Sequence, residues 1–232
     1  MIELRPFNRL GGGSHGWLES KFHFSFAGYH DDERMNWGKI RVWNDDEIAA
    51  GTGFDPHSHA NMEIITYVTQ GAITHKDSLG NTGRTEAGDV QVMSAGTGIE
   101  HSEYNLEKET TKLFQIWIVP DQRGGAPSWG ARPFPKDAKS GQFITLASGL
   151  ANDTDALPIR SDARVAGATL KAGETTEYKL GTGRYAYLVA ARGPIEVNGI
   201  HAGTRDGLAI ADEDVLHVKA IGDAEIILVD AS

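Results

Sequence analysis

Two pairs of residues in this chain have the types and the spacing to hold a metal ion. His57 and His59 stand two apart in Asp55-Pro56-His57-Ser58-His59, and His101 and Glu103 stand two apart in Glu100-His101-Ser102-Glu103. In a β-strand, side chains at i and i+2 leave the same face with Cα atoms roughly 6–7 Å apart, so both tips of a pair can converge on one ion. Together the pairs offer three imidazoles and one carboxylate, a donor set suited to a divalent first-row metal such as Fe, Mn, Co, Ni or Cu. One carboxylate keeps the charge of such a site low enough for an anionic substrate oxygen to join. The chain has no cysteine, which excludes thiolate sites, Cys nucleophiles and disulfides together and leaves His and carboxylate as the metal donors. Chance alone produces either pair at appreciable frequency with 9 His in 232 residues. Their setting raises the odds, because they flank the apolar run 62–69 and stand at opposite ends of a predicted meander.

The elements that must position them are strands. With 40% hydrophobic and 23% charged residues the chain has the composition of a folded globular protein, and its 28 glycines exceed the usual share, which suggests many tight turns. From residue 39 onward, short β-branched and aromatic runs are cut by glycine turns, with almost no apolar pattern at helical period. The predicted strands cover 39–43, 62–69, 72–77, 89–93, 101–104 and 112–119. Leu79-Gly80-Asn81 has hairpin chemistry, and 113–119 is apolar on nearly both faces, as expected inside a closed or double-layered barrel. Asp31-Asp32-Glu33 reads as a solvated face and Asp45-Asp46 as a turn.

Four of the 8 prolines (Pro120, Pro127, Pro133 and Pro135) fall with Gly124, Gly125 and Gly130 in a stretch that reads as a linker. Beyond it the pattern restarts: Tyr187-Leu188-Val189, Gly193-Pro194-Ile195 and Asp206-Gly207-Leu208 echo Tyr67-Val68-Thr69, Gly71-Ala72-Ile73 and Gly88-Asp89-Val90. The expected organisation is all-β, two barrels related by an internal repeat: 1–120 carrying the metal, 121–141 as linker, and 142–232 without ligands. Counting back from Gly193 as from Gly71 places Lys179 and Gly181 where His57 and His59 would fall.

Gly51-x5-His57-x-His59-x3-Glu63-x7-Gly71 and Gly88-x5-Ser94-x-Gly96 followed by Gly98-x2-His101-x3-Asn105 resemble the two motifs of the cupins, whose fold is a jelly-roll β-barrel. In the usual pattern a ligand Glu stands where this chain has Ile64, with Glu63 one residue early. A one-residue slip sends a strand side chain to the other face, so Glu63 should point away from the metal, and Glu103 supplies the carboxylate instead. That exchange, with Met93-Ser94-Ala95-Gly96-Thr97-Gly98-Ile99, His15-Gly16-Trp17-Leu18 and Phe24-Ser25-Phe26-Ala27, is similar to the pirin family of bicupins. The specific motifs fall within residues 1–120. The resemblance implies one divalent transition metal, Fe(II) first, with Mn, Co, Ni, Cu or Zn as alternatives. It also implies a quercetin 2,3-dioxygenase-type activity that opens the heterocycle of a flavonol, or of a related enolic or phenolic substrate, with O2 and releases carbon monoxide. Glu103, a ligand able to loosen and accept the proton of the flavonol 3-hydroxyl, is the natural general base.

A rival implication is a metal-dependent regulator that binds a protein partner without catalysis. A third, sugar isomerisation, lacks a dedicated basic clamp. The net charge of −10 allows protein contacts and argues against direct nucleic-acid binding. The N-terminus has no signal-like apolar core, and no apolar run approaches bilayer length, so a cytoplasmic protein without membrane contact is expected. His201 and His217 read as ordinary surface or partly buried residues. His15, His23 and His75 are weaker candidates for a pocket mouth, and Trp17, Phe22, Phe24 and Phe26 read as core or lid packing rather than ligand-stacking groups.

Overall fold

In the computed structural model, which describes residues 1–133 and 141–232, the glycine-punctuated runs become four antiparallel-rich sheets. The first half builds a seven-stranded sheet in the order Ser128–Pro133, Asp89–Ser94, Glu63–Gln70, Thr111–Ile118, Ile40–Ile48, Leu18–Phe22, Gly11–Ser14. Against it lies a four-stranded sheet, Gly53–His59, Ile99–Tyr104, Ala72–Asp77, Thr82–Glu86. The second half repeats the plan. Its large sheet runs Ile2–Arg5, Gly207–Ala211, Tyr185–Arg192, Ala224–Ala231, Ala163–Leu170, Ile144–Ser148, Leu157–Pro158, and its small one Thr175–Lys179, Val215–Ala220, Ile195–Val197, Ile200–Ala202. The chain is thus a pair of cupin-type barrels, as the repeat implies. Among the described residues no helix is long and apolar enough to cross a membrane.

Two segments cross the boundaries that composition suggests. Ile2–Arg5 pairs with Gly207–Ala211 in the second barrel, and Ser128–Pro133 pairs with Asp89–Ser94 in the first. Each large sheet therefore ends on one side in a strand from elsewhere in the chain. Pro and Gly made 121–141 read as a linker, yet Gly130 and Pro133 are tolerated because the strand lies at a sheet edge, where missing ladder bonds cost little. Residues 134–140 of that linker reading, Pro135 included, lie outside the described residues. Asp45-Asp46 is not a turn: both are buried within Ile40–Ile48. Strand alternation sends Asp45 to the Arg205 guanidinium, at 2.6 and 2.9 Å, and Asp46 to the Ser20 hydroxyl at 2.5 Å. Partners so distant in sequence leave no local signal.

The large sheets pack face to face, burying Trp43, Ile65, Tyr67, Phe114 and Ile116 against Val165, Tyr187, Val189, Ile227 and Val229. Inside the second barrel the filling is continuous and apolar, including Leu188, Leu208, Leu228, Leu216 and Val218. Inside the first it splits into two groups, one around Leu18, Ile48, Val68, Ile73 and Leu113, the other around Ile64, Met93, Ala95 and Ile99. Between them runs a polar row, Gln91, Thr66, Gln115 and Asn44, each beside the next across the strands. The matching row of the second barrel is Leu208, Leu188, Leu228 and Ala166.

His23 does not reach a pocket mouth. It is fully buried between the barrels, where Nδ1 meets the Tyr187 hydroxyl at 2.9 Å. Burial, aided by Arg5 and Arg34, pushes its pKa down to about 3. The unfolded chain takes up this proton below about pH 6.5 while the folded chain refuses it, so this residue withdraws stability as pH falls, by roughly 3 kcal/mol on reaching about pH 4. His23→Gln should therefore show a shallower acid-side loss of urea-unfolding stability than wild type; parallel pH profiles would contradict this assignment.

Candidate metal centre

The four residues with ligand spacing lie on two neighbouring strands of the small sheet. His101 pairs directly with His57 and Ile99 with His59, and then a bulge shifts the register so that Glu103 faces Phe54. The extra residue falls on the Gly53–His59 side, where the chain carries Pro56. That strand forms the sheet edge, one of the few places a residue without an N–H is accommodated. Bulges of this kind re-aim side chains. Gly53 makes the approach possible, since a Cβ there would sit 2.2 Å from the Glu103 carbonyl oxygen.

The result is a triangle of imidazoles. Ring centroids are 4.5 Å apart for His57 and His101, 4.8 Å for His57 and His59, and 5.1 Å for His59 and His101. Their ligating nitrogens lie within 4.8 Å of one another. Burial and the neighbouring rings lower the pKa of His59 to about 4 and of His101 to about 3, so both are neutral at physiological pH, the form that binds metals. His57 donates from Nδ1 to the Asp55 carbonyl at 2.7 Å, which leaves Nε2 as its candidate ligating nitrogen. The Nε2 of His101 is buried with no hydrogen-bond partner, an orphan whose cost of ~1–3 kcal/mol is understandable where a ligand takes the lone pair.

Behind His101 stands a second layer. Its Nδ1 is 3.4 Å from His75 Nδ1, and His75 Nε2 is 2.9 Å from Asp77 Oδ2. Burial opposes ionisation of Asp77, but hydrogen bonds from His75, Asn81 and Leu79 outweigh it and hold the carboxyl below its usual range. A carboxylate there fixes the proton of His75 on Nε2, so His75 accepts through Nδ1 and His101 donates, turning its bare Nε2 outward. The His75 ring is stacked on Trp129 at 4.7 Å and 7°, and Gly83 admits that indole, because a Cβ would lie 2.1 Å from it. His75, a candidate for the pocket mouth, is thus a fully buried support behind the triangle. The signal was available: His75 and Asp77 share the two-residue spacing of the other pairs.

Glu103 approaches from the barrel interior. It groups with His101 and His75, ligating atoms within 4.8 Å, rather than with His57 and His59. The polar row holds it: Gln91 donates at 2.6 Å, Gln115 at 3.1 Å and Thr66 at 3.2 Å. Complete burial raises its pKa to about 7 despite these donors. Glu63 points the other way, accepting from the Ser94 hydroxyl at 2.5 Å and the Arg160 amide at 3.1 Å.

The triangle opens onto a cavity of about 430 Å³ whose wall includes Trp17, Phe22, Phe26, Phe54, Trp117 and His15 along with His57 and His59. Three of the four aromatics read as packing therefore face ligand space, and His15 does as well. Phe22 is buried as well as lining the cavity, and Phe24 lies in the core between the barrels, 4.9 Å from Tyr187. In the second barrel Lys179 is exposed, and Leu216 and Val218 are buried on the strand matching His101 and Glu103. His201 and His217 lie on its surface beside Glu196 and Glu177. Among the described residues both groups of three potential ligands belong to the first barrel.

Comparison with known proteins finds two family models on the chain. Residues 4–118 match the Pirin family and 145–231 the quercetinase C-terminal cupin domain. A pirin-like protein of Caulobacter vibrioides is 66% identical over 232 residues, all of both chains. A quercetin 2,3-dioxygenase of Escherichia coli is 41% identical over 231 residues, 99% of this chain and 98% of its own. The crystal structure of the bacterial pirin YhhW from Escherichia coli in complex with nickel(II) superposes with a TM-score of 0.93 at 41% identity, covering 100% of this chain and 99% of that one.

The Glu103 environment can be checked without metal. In metal-free protein the 13C carboxyl resonance of Glu103 should titrate near pH 7. Gln115→Leu removes a donor to the charged form and should move the midpoint higher. An ordinary carboxylate midpoint in wild type would contradict the burial described here.

Proposed function

The chain belongs to the pirin family, and from that premise we propose that its first barrel is a metal-dependent dioxygenase site that opens the heterocycle of a flavonol such as quercetin. The observation that carries this reading is the triangle of His57, His59 and His101 imidazoles at the end of an aromatic-walled cavity, with the buried, high-pKa carboxyl of Glu103 grouped with His101 behind it. His57, His59, His101 and Glu103 would hold one divalent ion, and the orphaned His101 Nε2 fits that role. The nickel(II) complex of the Escherichia coli pirin supports a divalent ion here. Fe(II) is the proposed one, since mixed His and carboxylate sets with open positions suit non-haem iron oxygenases. When bound, the ion would supply Lewis acidity, which favours the 3-hydroxyl as its oxyanion, and the redox chemistry for O2.

The chain's own residues do the rest. The cavity volume is in the range of small-molecule sites, and the rings of Trp17, Phe26 and Trp117 suit a flat, apolar substrate while displacing water. Glu103 takes the 3-hydroxyl proton on a carboxylate oxygen. Gln91, Gln115 and Thr66 keep the carboxylate oriented before and after it accepts. The overall reaction consumes one O2, whose atoms enter the ring-opened ester, and expels one ring carbon as carbon monoxide.

Metal-loaded wild type should turn over quercetin with release of carbon monoxide. At matched occupancy, Glu103→Gln should be slower by ~10²–10⁴-fold, because an amide can coordinate weakly but cannot take the proton. Wild-type turnover by that variant would remove the base role, and a metal-loaded wild type inert towards flavonols would remove the dioxygenase reading.

A further inference from the structure

We infer that Asn44 and Asp46 form a subsite that accepts hydrogen bonds from a substrate hydroxyl other than the 3-hydroxyl, so that the site selects polyhydroxylated aromatics over their deoxygenated analogues; this rests on the flavonol reading above. The two residues are i and i+2 on Ile40–Ile48 and therefore share a face. Both line the same cavity as His57 and His59, together with Ser20 and Gln115. Asn44 is 5% exposed and Asp46 1% exposed, yet Asn44 Oδ1 has no hydrogen-bond partner.

The neighbours explain what is missing. Gln115, beside Asn44 across the strands, gives its amide to Glu103 at 3.1 Å. Asp46 accepts from Ser20 at 2.5 Å; burial raises its pKa to about 7, and protonated or not its carboxyl keeps further lone pairs available. Buried acceptors thus collect on one patch of an otherwise aromatic cavity, and among its lining residues the only basic groups are His15, His57 and His59. Such a patch does not suit a phosphate or carboxylate on the ligand, because lone pairs would face lone pairs. It suits a donor, and a flat aromatic bearing hydroxyls supplies both the donor and the faces for Trp17, Phe22 and Trp117 to cover. The second barrel carries Ala166 at the place of Asn44 in its row, so nothing in the fold itself requires an amide there.

Removing an unpartnered buried acceptor does not weaken a fold, so Asn44→Ala should keep or slightly raise the unfolding temperature. Binding of quercetin and of galangin, which lacks the pendant-ring hydroxyls, can be followed by quenching of Trp17 and Trp117 fluorescence in metal-loaded protein. Wild type should bind quercetin about tenfold more tightly than galangin, and Asn44→Ala should lose about that factor for quercetin alone, the size of one hydrogen bond. Asp46→Ala tests the second acceptor with the same pair, its fold checked by circular dichroism. Equal binding of the two flavonols by wild type, or equal losses for both in Asn44→Ala, overturns the subsite while leaving the flavonol reading intact. A wild type that binds neither overturns both.

Discussion

A carboxyl group in the middle of a β-barrel is the constraint around which the first half of this protein is arranged. Taking Glu103 out of water costs several kcal/mol unless it is protonated or met by donors, and the protein uses both routes, with a pKa raised to about 7 and three side-chain donors. Those donors must come from the facing sheet. That is why a row of Gln91, Thr66 and Gln115 interrupts what would otherwise be continuous apolar filling, and why the core of this barrel divides in two.

The second barrel shows what the same topology does without that demand. Its matching row is leucine and alanine, its interior is one apolar cluster, and its histidines are on the surface. One barrel contributes a hydrophobic body, the other gives up apolar burial for a site. They are coupled through the large face-to-face core and through exchanged edge strands. Trp129, on the edge strand donated to the first barrel, is the platform under His75, so the segment joining the barrels is also a wall of the candidate centre.

Much of this was legible in the sequence because its signals are local. Glycine-bounded runs marked the strands Ala72–Asp77 and Asp89–Ser94 closely, and the two-residue spacings marked His57, His59, His101 and Glu103. The placement of Glu63 followed from strand parity alone, and it does face Ser94 and Arg160. What local pattern could not show were pairings made across the chain. Asp45 and Asp46 resemble a turn until Arg205 and Ser20 are brought beside them, and Ile2–Arg5 gives no sign that its partner lies some two hundred residues on. The strand Gly53–His59 was hidden by Pro56, which only an edge position and a bulge make acceptable. His75 was underrated because its importance comes from what stands on either side of it, His101 and Asp77.

The account turns on four side chains of one barrel holding one ion, with Glu63 excluded by register. Elemental analysis of purified protein, of His57→Ala/His59→Ala and of Glu63→Gln, each confirmed folded by circular dichroism, tests this most directly. One transition metal per chain is expected in wild type and in Glu63→Gln, and essentially none in the double variant. Two ions per wild-type chain, full metal in the double variant, or loss of metal in folded Glu63→Gln would contradict it.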